Sequence, residues 1–357
     1  MAASRLAKLR THLTERQLDA LLVAKPENRT YLSGFTGSSA WLLISAQQAI
    51  LITDFRYVEQ ATAQAPDFHV NQPDSTHFAL IQKLCADWKV RRLGFEGDYL
   101  NVDEFRQYEE VLAGVELAPA TNLVEGLRMF KDESEVAIMA RAAAITDETW
   151  SHILGYIKPG VVERDLAIEM EYHFKKLGAD GNAFDIIVAS GVRSSLPHGR
   201  ASDKKIETGD LVTFDFGALY QGYCSDMTRT VMVGEPTAKQ REIYEIVLEA
   251  QLRGVAACRP GITDKELDEV CRGYIREKGY GDNFGHGTGH GVGRFIHEKP
   301  SVGLKGNGTV LQPGMVVTIE PGIYLPGWGG VRIEDMLLVT ENGSRRLSQS
   351  PKDLLIL

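Results

Sequence analysis

The segment Leu211–Gly234, LVTFDFGALYQGYCSDMTRTVMVG, contains two apolar runs on either side of a short turn. Both runs have the length and the β-branched and aromatic content of strands, so the segment predicts a β-hairpin. If the turn is centred on Tyr220 and Gln221, then Asp215 and Asp226 lie directly opposite each other. Like charges in that arrangement destabilise a sheet, so the acids either point into water or hold a cation between them.

A second strand pair of the same kind lies near the C-terminus, in Val316–Val339, VVTIEPGIYLPGWGGVRIEDMLLV. Glu320 and Glu334 are equally distant from Gly327 in its Pro- and Gly-rich loop, so they too are expected to face each other. Their neighbours are apolar, which predicts burial, and burying unpaired charges is very costly. Two buried acid pairs favour a bound cation over a solvated surface.

A glycine-rich segment, Phe284–Pro300, FGHGTGHGVGRFIHEKP, carries three of the nine histidines, His286, His290 and His297. Glycine at this density opposes a helix and predicts a strand or extended loop that other groups approach closely. Neither the dinucleotide fingerprint nor the H-E-x-x-H zinc motif fits the segment. A fourth histidine, His198, stands in the loop-like SSLPHG, where an ordinary surface residue is the simpler interpretation.

Charge balance relates the four acids to metal ions. Their four negative charges would be neutralised by two divalent cations. Oxygen ligands with one imidazole and no thiolate favour Mn²⁺, Co²⁺ or Fe²⁺ over a structural zinc ion. Two such ions can share a water molecule, lower its pKa and polarise a carbonyl beside it, which indicates metal-assisted hydrolysis.

Composition limits the alternatives. The chain has 357 residues, of which 43% are hydrophobic and 24% charged, with a formal net charge of -9. These values are typical of a globular protein of about two domains. We expect no nucleic-acid partner, since no basic stripe is present, and no membrane segment, since no apolar run approaches roughly 20 residues. Four scattered cysteines and the lack of a signal-peptide pattern predict a cytoplasmic protein.

The order of the patterns predicts two domains of different class. Helical and strand patterns alternate in the first third of the chain, which predicts a smaller α/β domain over residues 1–123. After a break at 119–122, an acidic helix start at 131–135 opens the second domain. Helices and strand pairs with Gly-rich turns follow, so residues 124–357 are predicted to form an α+β domain.

The combined pattern resembles the pita-bread metallopeptidases, which comprise Xaa-Pro aminopeptidases, Xaa-Pro dipeptidases, methionine aminopeptidases and the metal-free creatinase. The resemblance rests on PHG at His198, on HGTGHGVG followed by HE, and on five ligand-type residues in order: Asp215, Asp226, His290, Glu320 and Glu334. Upstream, RTYLSGFTGSSAWLLI and LITDFRYVEQA resemble the N-terminal domain that the proline-specific members share with creatinase. The fold implied is a pita-bread catalytic domain preceded by a smaller creatinase-type α/β domain.

The resemblance also implies a division of labour among the metal ligands. Asp215 would bind one metal ion, His290 and Glu320 would bind the other, and Asp226 and Glu334 would bridge the two. Mn²⁺ is the expected metal, with Co²⁺, Fe²⁺ or Zn²⁺ as alternatives.

The remaining site residues implied by the resemblance act on the substrate. Glu320 would be the general base, and His297 would stabilise the tetrahedral intermediate as a hydrogen-bond donor. His198 and His286 would line the pocket and contact the substrate. His198 would take part in catalysis as well. Arg332 would support the metal site or hold a substrate carboxylate.

Within the family, the sequence favours an Xaa-Pro aminopeptidase acting on peptides with proline at the second position. A dipeptidase, the alternative, must hold a free carboxylate close to the metals. Some dipeptidases carry Arg directly after the His-Glu-x-Pro stretch, where this chain has Ser301, although Arg294 and Arg332 are available. An inactive member that serves as a binding module is a remote alternative, which predicts a lost ligand. The resemblance further implies a homodimer in which the N-terminal domain helps to wall the partner's active site.

Overall fold

The computed structural model describes residues 2–357, which divide into two compact units, residues 2–128 and 129–357. The boundary predicted between 123 and 124 falls at the start of the helix Leu123–Arg128, whose apolar side chains are buried in the core of the N-terminal unit.

The N-terminal unit is a six-stranded mixed sheet covered by helices. Its strands are β1 Ala20–Val23, β2 Ala40–Ser45, β3 Ala49–Thr53, β4 His69–Asn71, β5 Arg92–Phe95 and β6 Glu116–Pro119. Its helices are α1 Ala2–Glu15, α2 Pro26–Ser33, α3 Val58–Gln64, α4 His77–Asp87, α5 Val102–Val111 and α6 Leu123–Arg128. The strand order is β4-β3-β2-β1-β5-β6, with β2 antiparallel to both of its neighbours and the other pairs parallel.

Both faces of this sheet are buried, and successive side chains of a strand, which point to opposite faces, pack in different clusters. In β1, Leu21 and Val23 belong to the apolar cluster that includes Leu9 of α1, whereas Leu22 belongs to the cluster that includes Ile81 of α4. A sheet with helices on both faces is the α/β arrangement predicted for this part of the chain.

The C-terminal unit contains several small antiparallel sheets and four α-helices. Its helices are α7 Glu133–Ile153, α8 Glu163–Lys176, α9 Ala238–Ala257 and α10 Asp264–Glu277. Its strands are β7 Gly181–Asn182, β8 Ile187–Ser190, β9 Leu211–Phe216, β10 Ala218–Tyr220, β11 Tyr223–Cys224, β12 Met227–Met232, β13 Gly289–Gly291, β14 Glu298–Val302, β15 Val316–Ile319, β16 Gly322–Leu325, β17 Gly329–Arg332, β18 Asp335–Thr340 and β19 Gly343–Arg346. The sheets have the orders β14-β13-β15-β18-β19, β12-β9-β8, β11-β10-β7 and β16-β17.

Alternation along the strands separates core from site in this unit. In β9, Val212, Phe214 and Phe216 pack in one cluster with Trp150 of α7, which turns Asp215 to the opposite face. In β15, apolar neighbours on either side of Thr318 pack with residues of α9 and α10 in the same way. The helices therefore cover one face of the strands, and the polar side chains meet on the other.

Candidate metal centre

A cavity of about 710 Å³ lies on this polar face of the C-terminal unit. The structure brings all nine predicted site residues to its lining: His198, Asp215, Asp226, His286, His290, His297, Glu320, Arg332 and Glu334. Four short segments that are far apart in sequence contribute them, so the cavity is a product of the tertiary fold.

Ligand-type atoms converge at the floor of the cavity. Asp226, His290 and Glu334 each present one such atom, and the three atoms lie within 4.8 Å of one another. Over residues 2–357 no other group of three His, Cys, Asp or Glu side chains has this geometry. The Nε2 atom of His290 is 3.5 Å from Oδ2 of Asp226 and 3.4 Å from Oε1 of Glu320.

The first acid pair lies diagonally across the hairpin, and the expected direct opposition is wrong. Asp215 pairs with Thr228, two residues beyond Asp226. Gln221 has φ 48° and Gly222 has φ 71°, and positive φ at both central residues is what a two-residue type I′ turn requires. The turn is therefore centred one residue later than predicted. Asp226 nevertheless stays on the sheet face of Asp215, as its diagonal neighbour.

The second acid pair has the predicted symmetry. Both ladders that flank Glu320 and Glu334, β15–β18 and β16–β17, have a register centred on Gly327. The two acids fall in the gap between these ladders, next to Pro321, which has no N–H to donate. The interruption leaves the two carboxylates free to turn toward the cavity.

Two threonines hold carboxylates of the cluster in place. The Oγ1 atom of Thr228 donates to Oε2 of Glu334 at 2.7 Å. The Oγ1 atom of Thr318 donates to Oε1 of Glu320 at 3.3 Å and accepts from the backbone N–H of His290 at 3.0 Å. The sequence analysis missed both threonines, although each stands two residues from an acid and so shares its strand face.

A buried tyrosine is a further residue that the sequence analysis missed. The hydroxyl of Tyr324 lies 2.7 Å from Nε2 of His286 and accepts from Nη1 of Arg332 at 2.9 Å. The Nη2 atom of Arg332 donates to Oδ2 of Asp215 at 2.6 Å. No local motif marks Tyr324, because its partners come from other strands and loops.

Burial and mutual repulsion oppose the charges of the acids. Loss of hydration and the nearby Asp215 and Glu320 raise the pKa of Asp226 well above its ordinary value. Loss of hydration and the neighbouring carboxylates do the same to the pKa of Glu334, and burial raises the pKa of Glu320 to about 8. These groups need a cation or a proton beside them.

The histidine in the cluster is neutral. Burial lowers the pKa of His290 to about 4. Its Nδ1 atom lies 3.0 Å from the backbone carbonyl oxygen of Gly291, and a carbonyl can only accept, so Nδ1 carries the proton. The lone pair of Nε2 therefore faces the carboxylates, as a metal ligand requires.

Comparisons with known proteins agree with this geometry. The model of metallopeptidase family M24 matches residues 137–341, and the model of the creatinase/prolidase N-terminal domain matches residues 5–130. The chain belongs to metallopeptidase family M24.

Individual members of the family resemble the chain over its whole length. The chain is 44% identical over 356 residues to the Xaa-Pro dipeptidase of Pyrococcus furiosus, covering 98% of this chain and 99% of that protein. The structure of an Xaa-Pro dipeptidase from Bacillus anthracis has 49% identity, covers 100% of both chains and gives a TM-score of 0.98. An X-Pro aminopeptidase from Thermotoga maritima has 39% identity, coverage of 96% and 99%, and a TM-score of 0.89.

This M24 metallopeptidase thus has the predicted fold, a creatinase-type N-terminal domain followed by a pita-bread catalytic domain. None of its described helices has the length and apolarity of a membrane-spanning segment.

Membership in M24 implies divalent metal ions, and the residues present fit them. The Oδ1 atom of Asp215 and the Oε1 atom of Glu334 are buried and have no hydrogen-bond partner within the described chain. Buried carboxylate oxygens without partners are rare, and a cation would satisfy both. Carboxylates with one imidazole and no thiolate suit a divalent ion bound mainly through oxygen.

Three further histidines of this M24 enzyme line the cavity beside its acidic floor, which is formed by Asp215, Asp226, Glu320 and Glu334. The ring of His297 lies 4.4 Å from that of His290, centroid to centroid, and reaches the cavity from an exposed position. Burial lowers the pKa of His286 to about 4, so its imidazole is neutral. His198 lines the cavity in the turn that follows the short 3₁₀ helix at 191–195.

Proposed function

We propose that the chain is a dinuclear metal-dependent Xaa-Pro dipeptidase, which hydrolyses the bond between an N-terminal residue and a C-terminal proline. The observation that carries the metal chemistry is the convergence of buried carboxylates on the neutral imidazole of His290. The full-length similarity to Xaa-Pro dipeptidases at 44% and 49% identity supports this substrate class. It favours the alternative over the aminopeptidase that the sequence analysis preferred.

In this proposal the five acidic and histidine ligands hold two metal ions. Asp215 would bind one ion, His290 and Glu320 would bind the other, and Asp226 and Glu334 would bridge them. Mn²⁺ is the metal we expect. When bound, the ions lower the pKa of a water molecule and polarise the scissile carbonyl.

The protein side chains orient the substrate and move the proton. Glu320 takes the proton of the attacking water, and Thr318 fixes the position of its Oε1 atom. His297 donates a hydrogen bond to the oxygen that becomes negative as the carbonyl is attacked. His198 and His286 contact the dipeptide from the cavity wall.

The substrate carboxylate needs a cationic group that is not already used by the metal site. Arg332 is bound to Asp215, so we assign it to support of that ligand. Arg294 stacks on Tyr223 and is not among the residues that line the cavity. Arg200 does line the cavity, and its exposed guanidinium is held by Asp185 at 2.8 Å. We therefore propose Arg200 as the group that attracts the carboxylate.

The test is hydrolysis of Ala-Pro and Ala-Pro-Ala side by side, after removal of metal and addition of Mn²⁺. We expect metal-dependent cleavage with the dipeptide preferred, and Arg200→Gln should raise KM for Ala-Pro more than for Ala-Pro-Ala. Preference for the tripeptide would make the chain an aminopeptidase.

Matched variants test the metal ligands in the same assay. Asp226→Asn and Glu334→Gln should abolish turnover and metal binding while circular dichroism shows an intact fold. Full activity in either variant would contradict the dinuclear site. An inactive natural chain would instead favour the inactive binding module. The homodimer and the cytoplasmic location stay predictions, and sedimentation equilibrium measures the first of them.

A further inference from the structure

Behind the acidic floor lies a second set of buried charges that the proposed reaction does not use. The side chains of Arg229 and Asp335 form an ion pair at 2.8 Å and are 2% and 0% exposed. Each is close in sequence to a bridging ligand: Arg229 follows Asp226 by three residues, and Asp335 directly follows Glu334.

All five N–H groups of the Arg229 side chain are bonded, which is the full donor capacity of a guanidinium. Nη1 donates to the backbone oxygens of Thr228 at 2.9 Å and Glu334 at 2.5 Å. Nη2 donates to Oδ1 of Asp335 and to the backbone oxygen of Ser350, both at 2.8 Å. Nε donates to the backbone oxygen of Pro351 at 2.9 Å.

These bonds join the two chain segments that supply the bridging carboxylates. One segment carries Asp226 directly before β12, and the other carries Glu334 between β17 and β18. The backbone N–H of Glu334 also donates to the backbone oxygen of Thr228, at 3.1 Å. A planar guanidinium with fixed donor directions sets the separation of such segments more closely than a flexible ammonium group does.

Asp335 is fixed from its other side as well. Its Oδ2 atom accepts from Nε2 of Gln251 at 3.0 Å and from Nζ of Lys352 at 2.7 Å. Its Oδ1 atom accepts from the hydroxyl of Ser348 at 3.0 Å. The segment 348–352 near the C-terminus therefore contacts both members of the ion pair, Arg229 through backbone oxygens and Asp335 through side chains.

We propose that Arg229 and Asp335 are positioning residues that hold Asp226 and Glu334 at the separation needed for metal binding, and so set the affinity of the chain for its metal ions. The proposal rests on the metal centre of the proposed function. The bridging carboxylates repel each other, and a rigid support behind them holds the ligands ready for the metal.

The test measures metal binding itself, by calorimetric titration of the metal-free full chain with Mn²⁺ and by the visible spectrum of the Co²⁺-loaded protein. We expect Arg229→Lys and Asp335→Asn to bind Mn²⁺ about 10–100-fold more weakly, the usual loss when the outer partners of metal ligands are removed. Their Co²⁺ spectra should also change, because the ligand geometry changes.

Arg29→Lys is the matched control. Arg29 is also a buried arginine, 4% exposed, and its guanidinium donates to the backbone oxygens of Gly37 and Ala40, but it lies in the N-terminal unit. We expect it to lower the melting temperature without changing Mn²⁺ affinity or the Co²⁺ spectrum. Unchanged affinity and spectrum in folded Arg229→Lys would overturn the proposal and leave the pair a support of the fold alone.

Lys352→Met keeps the proposal testable if the variants of Arg229 and Asp335 do not fold, because Lys352 contacts Asp335 from the edge of the cluster. We expect a smaller loss of Mn²⁺ affinity in the same direction, and no loss in this variant would overturn the proposal. A natural chain that binds no Mn²⁺ would instead refute the metal centre, which separates failure of the proposed function from failure of this inference.

Discussion

Single carboxyl groups in the acidic floor are held where their charges are unfavourable without a cation. Asp226 and Glu334 are 5% and 1% exposed, and the gap between two ladders places Glu320 beside them. Removing ionised carboxylates from water costs several kcal/mol each, even after relaxation of the surroundings. In the metal-free chain the carboxyls reduce that cost by keeping protons, whereas in the loaded chain the metal ions take that role.

We therefore expect the metal-free protein to lose stability as the pH rises from about 6.5 to about 8. Burial raises the pKa of Glu320 from its ordinary 4.5 to about 8, so in this range the folded state binds more protons than the unfolded state. Below pH 6.5 the buried His286 and His290, whose pKa values are lowered to about 4, oppose this effect, because they take up protons only on unfolding. From about pH 6.5 to about 8 the free energy of unfolding therefore falls with increasing pH, because its slope is proportional to the number of protons bound by the unfolded state minus the number bound by the folded state. Melting temperatures measured across this range, with and without Mn²⁺, check the sign.

Saturating Mn²⁺ should remove or reverse this slope, since metal binding requires deprotonated ligands. Asp226→Asn is the control, because it deletes one buried charge and should flatten the slope of the metal-free protein. A melting temperature of the metal-free chain that rose steadily between these pH values would contradict the assignment of raised pKa values to these acids.

Residue types at the site were predictable because each carries its chemistry in its side chain. The acids, His290 and the glycine-rich segment could be selected from composition, spacing and resemblance. Tyr324 could not, since its bonds to His286 and Arg332 depend on how separate strands come together. The same holds for Arg229, because nothing in the sequence distinguishes it from other residues of a predicted strand.

At the scale of elements, the two hairpins show which registers sequence symmetry can predict. Around Gly327 the loop is symmetric and the predicted register agrees with the ladders on both sides. In the first hairpin, positive φ at Gln221 and Gly222 moves the turn by one residue, and every cross-strand partner changes by two. Gly222 is a residue that accepts positive φ at no steric cost, which is the signal that would have placed the turn.

Strand β13 is short and fits tightly between its neighbours, and this fit places His290. A Cβ atom on Gly289 would lie 2.0 Å from the backbone oxygen of Thr318, and one on Gly291 would lie 2.2 Å from that of Lys299. Both distances are well below van der Waals contact. The close approach expected from the glycine-rich segment is therefore present at these two residues.

We expect Gly289→Ala to push β13 away from β15 and to weaken metal binding at His290 at least tenfold, since shifts of this size disturb preorganised ligands. Gly285→Ala is the control in the same segment, because nothing lies within 4 Å of its added methyl group. Calorimetric titration with Mn²⁺ compares the two. Equal affinities in both variants would show that the approach of β13 to β15 does not set the position of His290.

At the scale of the whole molecule, the proposed metal site lies in one of the two units, whereas each unit has its own apolar core. All nine predicted site residues, and Arg200, belong to residues 129–357. The N-terminal unit has its own apolar clusters on both faces of its sheet, including the fully buried Leu9 and Leu22. A ligand stabilises only the unit whose folded state binds it.

We therefore expect calorimetry to show two unfolding transitions, of which only that of the C-terminal unit responds to metal. At 100 times the dissociation constant, a bound ion stabilises its unit by about 2.7 kcal/mol, which for a unit of this size raises the melting temperature by about 5–10 °C. Leu9→Ala identifies the other transition, because a cavity in the N-terminal core costs about 2–5 kcal/mol and should lower the metal-insensitive transition alone. A single transition that shifted as a whole, upward with Mn²⁺ and downward with Leu9→Ala, would show instead that the two units unfold together and that metal binding stabilises the entire chain.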